Sequence, residues 1–168
     1  MKWHKLGKIF DPTQYTLPNG CEHFAQSPQV LMFDDFVRIY LSTRALDKNG
    51  KFLSHITYVD MRKNLRDIIR VSDKTVIPLG GLGSFDEHGI FPMNVLRQGD
   101  LVYGYTCGWS RRVSVSVDTA IGLAISRDDG LTVQRIGDGP VLAASLHEPY
   151  LVGDGFVKIV GDTFHMWY

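Results

Sequence analysis

Apolar and polar residues alternate with a period of two in short runs along most of the chain. The run FVRIYLSTR (36–44) places Val, Ile and Leu on one side and Arg, Tyr and Ser on the other. The runs LVYGYTCGW (101–109) and IGLAIS (121–126) alternate large side chains with small ones. Because successive residues of a strand point to opposite faces, this pattern predicts half-buried antiparallel β-strands.

The breaks between these runs carry turn residues. DKNGK (47–51) contains the Asn-Gly pair typical of tight hairpins, and RQGD (97–100) is a second hairpin candidate. The one segment with helical character, MRKNLRDII (61–69), is predicted either as a helical turn inside a loop or as loop. The expected fold class is therefore all-β.

A repeat organises the strands. Three segments each contain a proline, a short apolar run, an acidic or glycine turn and an aromatic-rich strand; their prolines are Pro28, Pro92 and Pro149, at spacings of 64 and 57 residues. Four short strands per repeat of this length are typical of β-propeller blades, and proline fits at the first residue of a strand. A β-sandwich whose strands start alike is the alternative.

The repeat predicts one domain, a partial β-propeller of about two and a half to three four-stranded blades. Its expected bounds are about 25–80 for the first blade, 85–142 for the second and 147–168 for the partial third. The segment SRDDGLTV resembles the Asp-box of propeller hairpins, with Val133 in place of the usual aromatic residue. We therefore expect Ser126 and Asp128 to bind turn amides and Gly130 to adopt a positive φ, a structural role.

Composition narrows the classes of partner. The 168 residues contain 18 Lys plus Arg and 18 Asp plus Glu, so the chain lacks the basic excess that nucleic acid or an anionic membrane surface requires. No apolar run approaches a membrane span, and the first residues lack the apolar core of a signal peptide. Cys21 and Cys107 are expected to be free thiols in a cytoplasmic protein. No cofactor is expected, and the histidines do not fall at metal-binding spacing.

Four segments, in their order along the chain, resemble the five-bladed β-propeller glycosidases: VRIYLSTRALDKNGKFLSHITYVD, DEHGIFPMNVL, AIGLAISRDDGLTVQRIGDGPVL and HEPYLV…HMWY. This superfamily contains the family-43 arabinanases and β-xylosidases and the invertase and levansucrase relatives; the narrower likeness is to an uncharacterised glycosidase-like group. The likeness extends from about Trp3 to the last residue. Five blades would need about 300 residues, so the resemblance implies half of a propeller, either a fragment or a naturally short form.

The resemblance implies three catalytic acids, each beside the start of an inner strand: a base on the first blade, a pKa-tuning Asp on the second and an acid Glu on the third. Glu148, directly before Pro149, matches the general acid. Apolar surroundings with Tyr150 nearby would raise its pKa and let it keep a proton. A solvated residue before a strand is the alternative.

The other two positions depart from the family pattern. Phe91 stands where the second Asp is expected, although the SFDEHG loop offers Asp86 and Glu87 as assisting acids and His88 as a substrate ligand; turn formation before Gly89 is the alternative. On the first blade Ser27 stands where the base is expected. Gln26 and Ser27 are predicted to bind sugar hydroxyls, but neither can act as a carboxylate base. The nearest acids, Asp34 and Asp35, have the character of a hairpin turn.

The segment GWSRR supplies the remaining candidates. Trp109 offers a flat face for a pyranose ring, and Arg111 and Arg112 are candidates to bind a carboxylate or phosphate on a substrate, unless the segment is an exposed hairpin. We also expect Glu148 to share a cleft near the propeller axis with at least one residue of 86–88.

Three functions follow from these residues. The first is a glycoside hydrolase-like enzyme that uses Glu148 as its acid, and the second is a carbohydrate-binding propeller without catalysis. The third is a structural half that another chain completes. Uncovered blade faces predict a homodimer, because large exposed apolar patches are unusual on monomers. The apolar residues assigned to those faces are Val37, Ile39, Leu41, Phe164, Met166, Trp167 and Tyr168.

Overall fold

The computed structural model describes residues 2–168, which form ten β-strands and two short 3₁₀ turns, Pro12–Gln14 and Pro18–Gly20. The strands are β1 His23–Met32, β2 Phe36–Leu46, β3 Phe52–Arg62, β4 Ile68–Val71, β5 Gly89–Gln98, β6 Leu101–Arg111, β7 Val117–Ser126, β8 Gln134–Arg135, β9 Phe156–Val160 and β10 Thr163–Trp167. No α-helix occurs within residues 2–168.

The strands form two antiparallel four-stranded units followed by a hairpin. In the larger sheet the order is β1-β2-β3-β5-β6-β7-β8, with β4 paired to β3, and the hairpin β9–β10 forms a separate sheet. The strand ladders of the units β1–β4 and β5–β8 meet where Ser54 of β3 pairs in parallel with Gly89 of β5. This arrangement confirms the predicted all-β partial propeller.

The predicted hairpin turns are present, and the helical candidate is wrong. The Asp47 carboxylate accepts hydrogen bonds from the amides of Asn49 and Lys51, while Gly50 adopts a φ of 72°. The segment 61–69 instead ends β3, makes a turn and begins β4. The Asn64 side chain caps this turn by accepting from the Arg66 amide, a local bond that competes with helix formation.

The repeat predicted that an inner strand begins at each of Pro28, Pro92 and Pro149. This prediction is wrong for all three. Pro28 and Pro92 lie inside β1 and β5, and Pro149 lies in the loop before β9. The ladder slips at both interior prolines, between Gln26 and Gln29 in β1 and between Ile90 and Met93 in β5. A proline has no N–H for the ladder, so an irregularity tolerates it inside a strand.

The largest core lies between the two four-stranded units. Its buried members are Leu31, Tyr40, Ile56, Tyr58, Val76, Ile77, Ile90, Met93, Val95, Val102, Ala124 and Val133. Val37, Ile39 and Leu41 were assigned to an open face, but they are buried with Val59 and Met61. Ile9 and Phe10 of the N-terminal segment and side chains near β4 pack over them, so this part of the dimerisation prediction is wrong.

A polar network ties the turn after β7 to the first unit. Ser126 donates to the Asp128 carboxylate, which accepts from the Thr132 amide, and Gly130 adopts a φ of 82°. The Gly130 carbonyl accepts from the buried Tyr40 hydroxyl at 2.7 Å. Asp128 therefore makes the turn contacts that the sequence predicted for it.

Self-association is a prediction that the β9–β10 hairpin still motivates. We propose that this hairpin pairs with a second copy of the chain, because its large apolar side chains are exposed: Phe156, Val160, Phe164, Trp167 and Tyr168. Sedimentation velocity at micromolar concentration should detect a dimer. The double variant Phe156→Ser/Trp167→Ser should shift it to monomer, whereas Leu82→Ser, at a side chain 96% exposed elsewhere, should not. A monomeric parent chain would contradict the proposal.

Candidate functional site

A row of cross-strand neighbours runs over the larger sheet. Arg44 pairs with Ser54, Ser54 with Gly89, Gly89 with Trp109, and Trp109 with Thr119. Directly opposed residues project from the same face of a sheet. Gly89 leaves room for the indole, because a Cβ built there would lie 2.1 Å from Trp109 Nε1. The register therefore brings Arg44, Trp109 and Thr119 to one surface.

This surface forms a cleft of about 650 Å³. Arg44, Phe91, Trp109 and Thr119 line it from the larger sheet. Asp154 lines it from the loop before β9, and Tyr168 lines it from the end of the chain. Apolar and aromatic walls with a few polar groups are typical of small-molecule sites, so this cleft is the strongest candidate site among the described residues.

Trp109 is held in place by its neighbours. The His88 ring stacks against it with centroids 6.0 Å apart, and the Arg111 guanidinium lies 5.8 Å from the indole centroid. Arg111 itself pairs with Asp47 at 2.8 Å and donates to the Phe52 carbonyl. Arg111 is thus paired with Asp47 and buttresses the indole, and its binding of a substrate anion stays a prediction.

Arg44 lies among aromatic rings. Its guanidinium carbon is 5.0 Å from the centroid of Phe24 and 5.9 Å from those of Phe52 and Phe91. Its Nε is buried without a hydrogen-bond partner in residues 2–168. Stacking on aromatic faces leaves the in-plane N–H groups of a guanidinium available to a ligand.

Glu148 is connected to the cleft by a hydrogen bond from Tyr168. The Tyr168 hydroxyl donates to Glu148 Oε1 at 2.6 Å, and the Ser145 hydroxyl donates to Oε2. The hydrogen bonds from Ser145 and then Tyr168 lower the pKa of Glu148 below its ordinary value. The expected rise in pKa is therefore wrong, because these donors stabilise the charged carboxylate and Tyr150 is not among its hydrogen-bond partners.

The other predicted acids, Asp86 and Glu87, each have hydrogen-bond partners within the protein. Asp86 is buried and forms an ion pair with Arg135, whose Nε lies 2.9 Å from Oδ2, while Oδ1 is buried without a partner. Glu87 accepts from the Gly83 amide at 2.9 Å, and its other oxygen is 3.8 Å from His88 Nε2. Asp86 thus connects the loop before β5 to β8, and Glu87 lies next to the ring that supports Trp109.

The remaining predicted ligands lie on β1 and beyond β6. Gln26 Oε1 is buried and unpaired within residues 2–168, and Ser27 adopts a φ of 50° beside the β1 irregularity. Arg112 pairs with Asp118 at 2.9 Å on the exposed surface. The structure therefore places His88, Trp109 and Arg111 together. Whether Glu148 and the 86–88 loop act on one ligand stays a prediction.

Sequence reasoning missed Arg44, Phe91, Asp154 and Tyr168 as cleft residues. Arg44 resembles any polar residue of an alternating strand, and its neighbours Ser54 and Gly89 are distant in sequence. Only the cross-strand register identifies it.

The residues 2–168 contain no group of three or more His, Cys, Asp or Glu side chains arranged to hold a metal ion. Within the same range no helix has the length and apolar character to cross a bilayer.

Both thiols should resist modification in the folded protein. Burial raises the pKa of Cys21, and burial together with the adjacent Asp154 charge raises the pKa of Cys107 to about 11. Since the thiolate is the reactive form, a disulfide reagent at neutral pH should titrate neither cysteine until denaturant is added. Cys107 belongs to the cleft lining but is 4% exposed, so rapid reaction of the native protein would contradict this prediction.

No family model matches the sequence. The chain is 30% identical over 168 residues to an uncharacterised protein of Mycobacterium tuberculosis, MT1551 in strain CDC 1551 / Oshkosh and Rv1502 in strain ATCC 25618 / H37Rv. Each match covers 100% of this chain and 54% of the relative. The chain thus spans about half the length of the curated relatives that it matches.

Solved structures resemble the fold at low sequence identity. Zg3597, a family 117 glycoside hydrolase of Zobellia galactanivorans, matches with a TM-score of 0.63 and 13% identity, over 89% of this chain and 44% of that one. CoXyl43, a family 43 β-xylosidase/α-arabinofuranosidase from a compost microbial metagenome, matches with a TM-score of 0.58 and 16% identity, over 87% and 42%. The chain therefore has an all-β, partial β-propeller fold that matches somewhat less than half of each of these solved chains.

Proposed function

We propose that this chain binds a carbohydrate in the cleft lined by Arg44, Trp109 and Tyr168. The observation that carries the proposal is the row from Arg44 to Thr119, which presents an indole and polar side chains on one surface of a glycosidase-like fold. An aromatic ring packs against the C–H face of a sugar, while polar groups bind its hydroxyls. Glu148 as an ionised carboxylate would accept hydroxyl hydrogen bonds at the Tyr168 side.

Isothermal titration calorimetry and ligand-observed NMR with a panel of neutral mono- and oligosaccharides test this proposal. The variant Trp109→Ala should abolish binding, because it removes the aromatic wall. Trp3→Ala is the matched control, since Trp3 is 87% exposed and lies outside the cleft lining, and it should bind like the parent. Equal binding by the parent and Trp109→Ala would remove the cleft from consideration.

Glycoside hydrolysis is the second candidate function, and it is supported by the hydrogen bond that connects Glu148 to Tyr168, a residue of the cleft lining. General acid catalysis typically contributes about 10²–10⁴-fold, so Glu148→Gln should lower any hydrolysis of aryl glycosides by about that factor. Hydrogen bonding lowers the pKa of Glu148, so the fraction able to donate a proton increases only as the pH falls into the acidic range.

The pH profile separates the possible roles of Glu148. As a general acid it should give activity that rises toward acidic pH, and as a base or nucleophile it should give activity that falls there. Asp67→Asn, at an exposed acid in the β3–β4 turn, is the matched control and should leave the rate unchanged. Unchanged turnover in Glu148→Gln would remove Glu148 from the chemistry, and absent turnover with retained sugar binding would identify a binding protein.

A further inference from the structure

Arg44 differs from the other arginines that the structure shields from solvent. Arg38, Arg111 and Arg135 are also buried or half-buried, and each pairs with a carboxylate: Asp60, Asp47 and Asp86 respectively. No carboxylate among residues 2–168 lies within ion-pair distance of Arg44. Arg44 is half-buried and lines the cleft, so its guanidinium has no internal counter-ion and is available to an anionic group of a ligand.

The immediate surroundings of the Arg44 guanidinium are mostly aromatic. The aromatic rings of Phe24, Phe52 and Phe91 lie around the guanidinium, and its buried Nε has no acceptor. Its cross-strand neighbour Ser54 also has a buried hydroxyl without a partner. Two adjacent unpaired polar groups, one of them a cation, thus lie beside the Trp109 wall.

The charges around the cleft disfavour a ligand with more than one negative charge. Among residues 2–168, Arg44 is the one cationic residue of the cleft lining, and Asp154 lines the cleft as well. Glu148 lies one hydrogen bond behind Tyr168. These acids repel any anion, but they repel a phosphate ester with nearly two negative charges more strongly than a carboxylate with one, and a carboxylate also matches one guanidinium in its planar, bidentate geometry.

We propose that the cleft selects an acidic sugar, with Arg44 binding the carboxylate of a uronic acid residue whose ring packs on Trp109. This inference rests on the proposed carbohydrate-binding function and names its substrate class. Ser54 lies beside Arg44 with its side chain buried and outside the cleft lining, so it is a positioning neighbour of the guanidinium rather than a ligand contact. The neutral remainder of the sugar faces the Asp154 and Tyr168 side of the cleft.

Titration with three matched glycosides tests the proposal: methyl glucuronide, its neutral methyl ester and methyl glucoside. A hydrogen bond to a charged group contributes about 1.5–3 kcal/mol, so the uronate should bind at least about tenfold more tightly than either neutral sugar. Raised salt should reduce this preference, because it screens the charge contact. Methyl glucoside 6-phosphate and 6-sulfate form separate arms that report other anions.

Two variants and one structural control complete the experiment. Arg44→Gln should weaken binding of the uronate far more than binding of the neutral sugars and so remove the preference, and Arg44→Lys should retain only part of the preference because the ammonium lacks the bidentate fork. Thermal unfolding of both variants checks that they fold. If neutral sugars bind in the cleft and the uronate has no advantage, the acidic-sugar inference fails and the carbohydrate proposal stands.

Three further results would contradict the acidic-sugar proposal. Tighter binding of the phosphate or sulfate ester than of the uronate would overturn the assignment of a carboxylate ligand. If none of the neutral or acidic glycosides binds, both this inference and the proposed function fail. A uronate preference that survives in Arg44→Gln would overturn the role of Arg44.

Discussion

Replacing Asp60 with asparagine is expected to destabilise the protein by about 3–5 kcal/mol, because it leaves the Arg38 guanidinium buried without its counter-charge. Asp60 accepts two hydrogen bonds from Arg38, at 2.7 Å and 2.8 Å, and both side chains are almost fully buried. Arg38 also donates to the Asp129 carbonyl at 2.8 Å, so the pair lies between the two four-stranded units. Urea unfolding followed by circular dichroism measures the loss.

The variant Arg70→Ala is the matched control for this prediction. Arg70 binds the same carboxylate at 2.8 Å, but its side chain is 46% exposed. An exposed ion pair contributes about 0–1 kcal/mol, so Arg70→Ala should change stability by no more than that. A loss in Asp60→Asn as small as in Arg70→Ala would show that Arg38 finds another acceptor or water in the folded state.

Gly89→Ala should both destabilise the protein and remove its sugar binding. The added methyl group would lie 2.1 Å from Trp109 Nε1 and 2.8 Å from Ser54 Cβ, so the indole must leave its position in the cleft wall. Overpacking of this kind costs about 1–3 kcal/mol. We therefore expect a shifted tryptophan fluorescence spectrum, a lower free energy of unfolding and loss of the binding seen by calorimetry.

Gly81→Ala is the control for this substitution. Gly81 lies in the loop before β5, and a Cβ built there meets nothing within 4 Å. Its stability, fluorescence and sugar binding should match those of the parent. Normal binding by Gly89→Ala would mean that Trp109 is not the wall on which the sugar packs.

Local chemistry was sufficient to predict the strands and their turns. Alternation of apolar and polar side chains specifies a β-strand with one buried face. An Asn-Gly or Gln-Gly pair specifies a reversal of the chain direction, because glycine adopts the positive φ that the turn needs, as at Gly50 and Gly99. The turn around Asp128 was predictable for the same reason, because its hydrogen bonds join residues within four positions of each other. The ordered repeat of such units was also enough to predict a partial propeller.

The position of a strand break was less predictable than the strand itself. Proline excludes a ladder hydrogen bond, and that constraint is satisfied at a strand start or at an irregularity. The structure uses irregularities for Pro28 and Pro92, a choice that depends on the partner strands β2 and β6. Likewise, residues 9 and 10 pack over Val37 and Ile39, a contact that the sequence around strand β2 does not predict.

The candidate site depended on tertiary structure almost entirely. Trp109 was recognisable from the sequence, but Arg111 and Arg112 resemble Arg44 there, and only folding determines which of them has a partner. Arg111 finds Asp47, which is 64 residues away in sequence, whereas Arg44 meets aromatic rings and no carboxylate. Glu148 was chosen as a candidate by its position before Pro149, and its lowered pKa follows from hydrogen bonds donated by Ser145 and by Tyr168, the latter 20 residues away. Single residues and turn types are local properties, whereas pKa shifts and unpaired charges arise from contacts between distant segments.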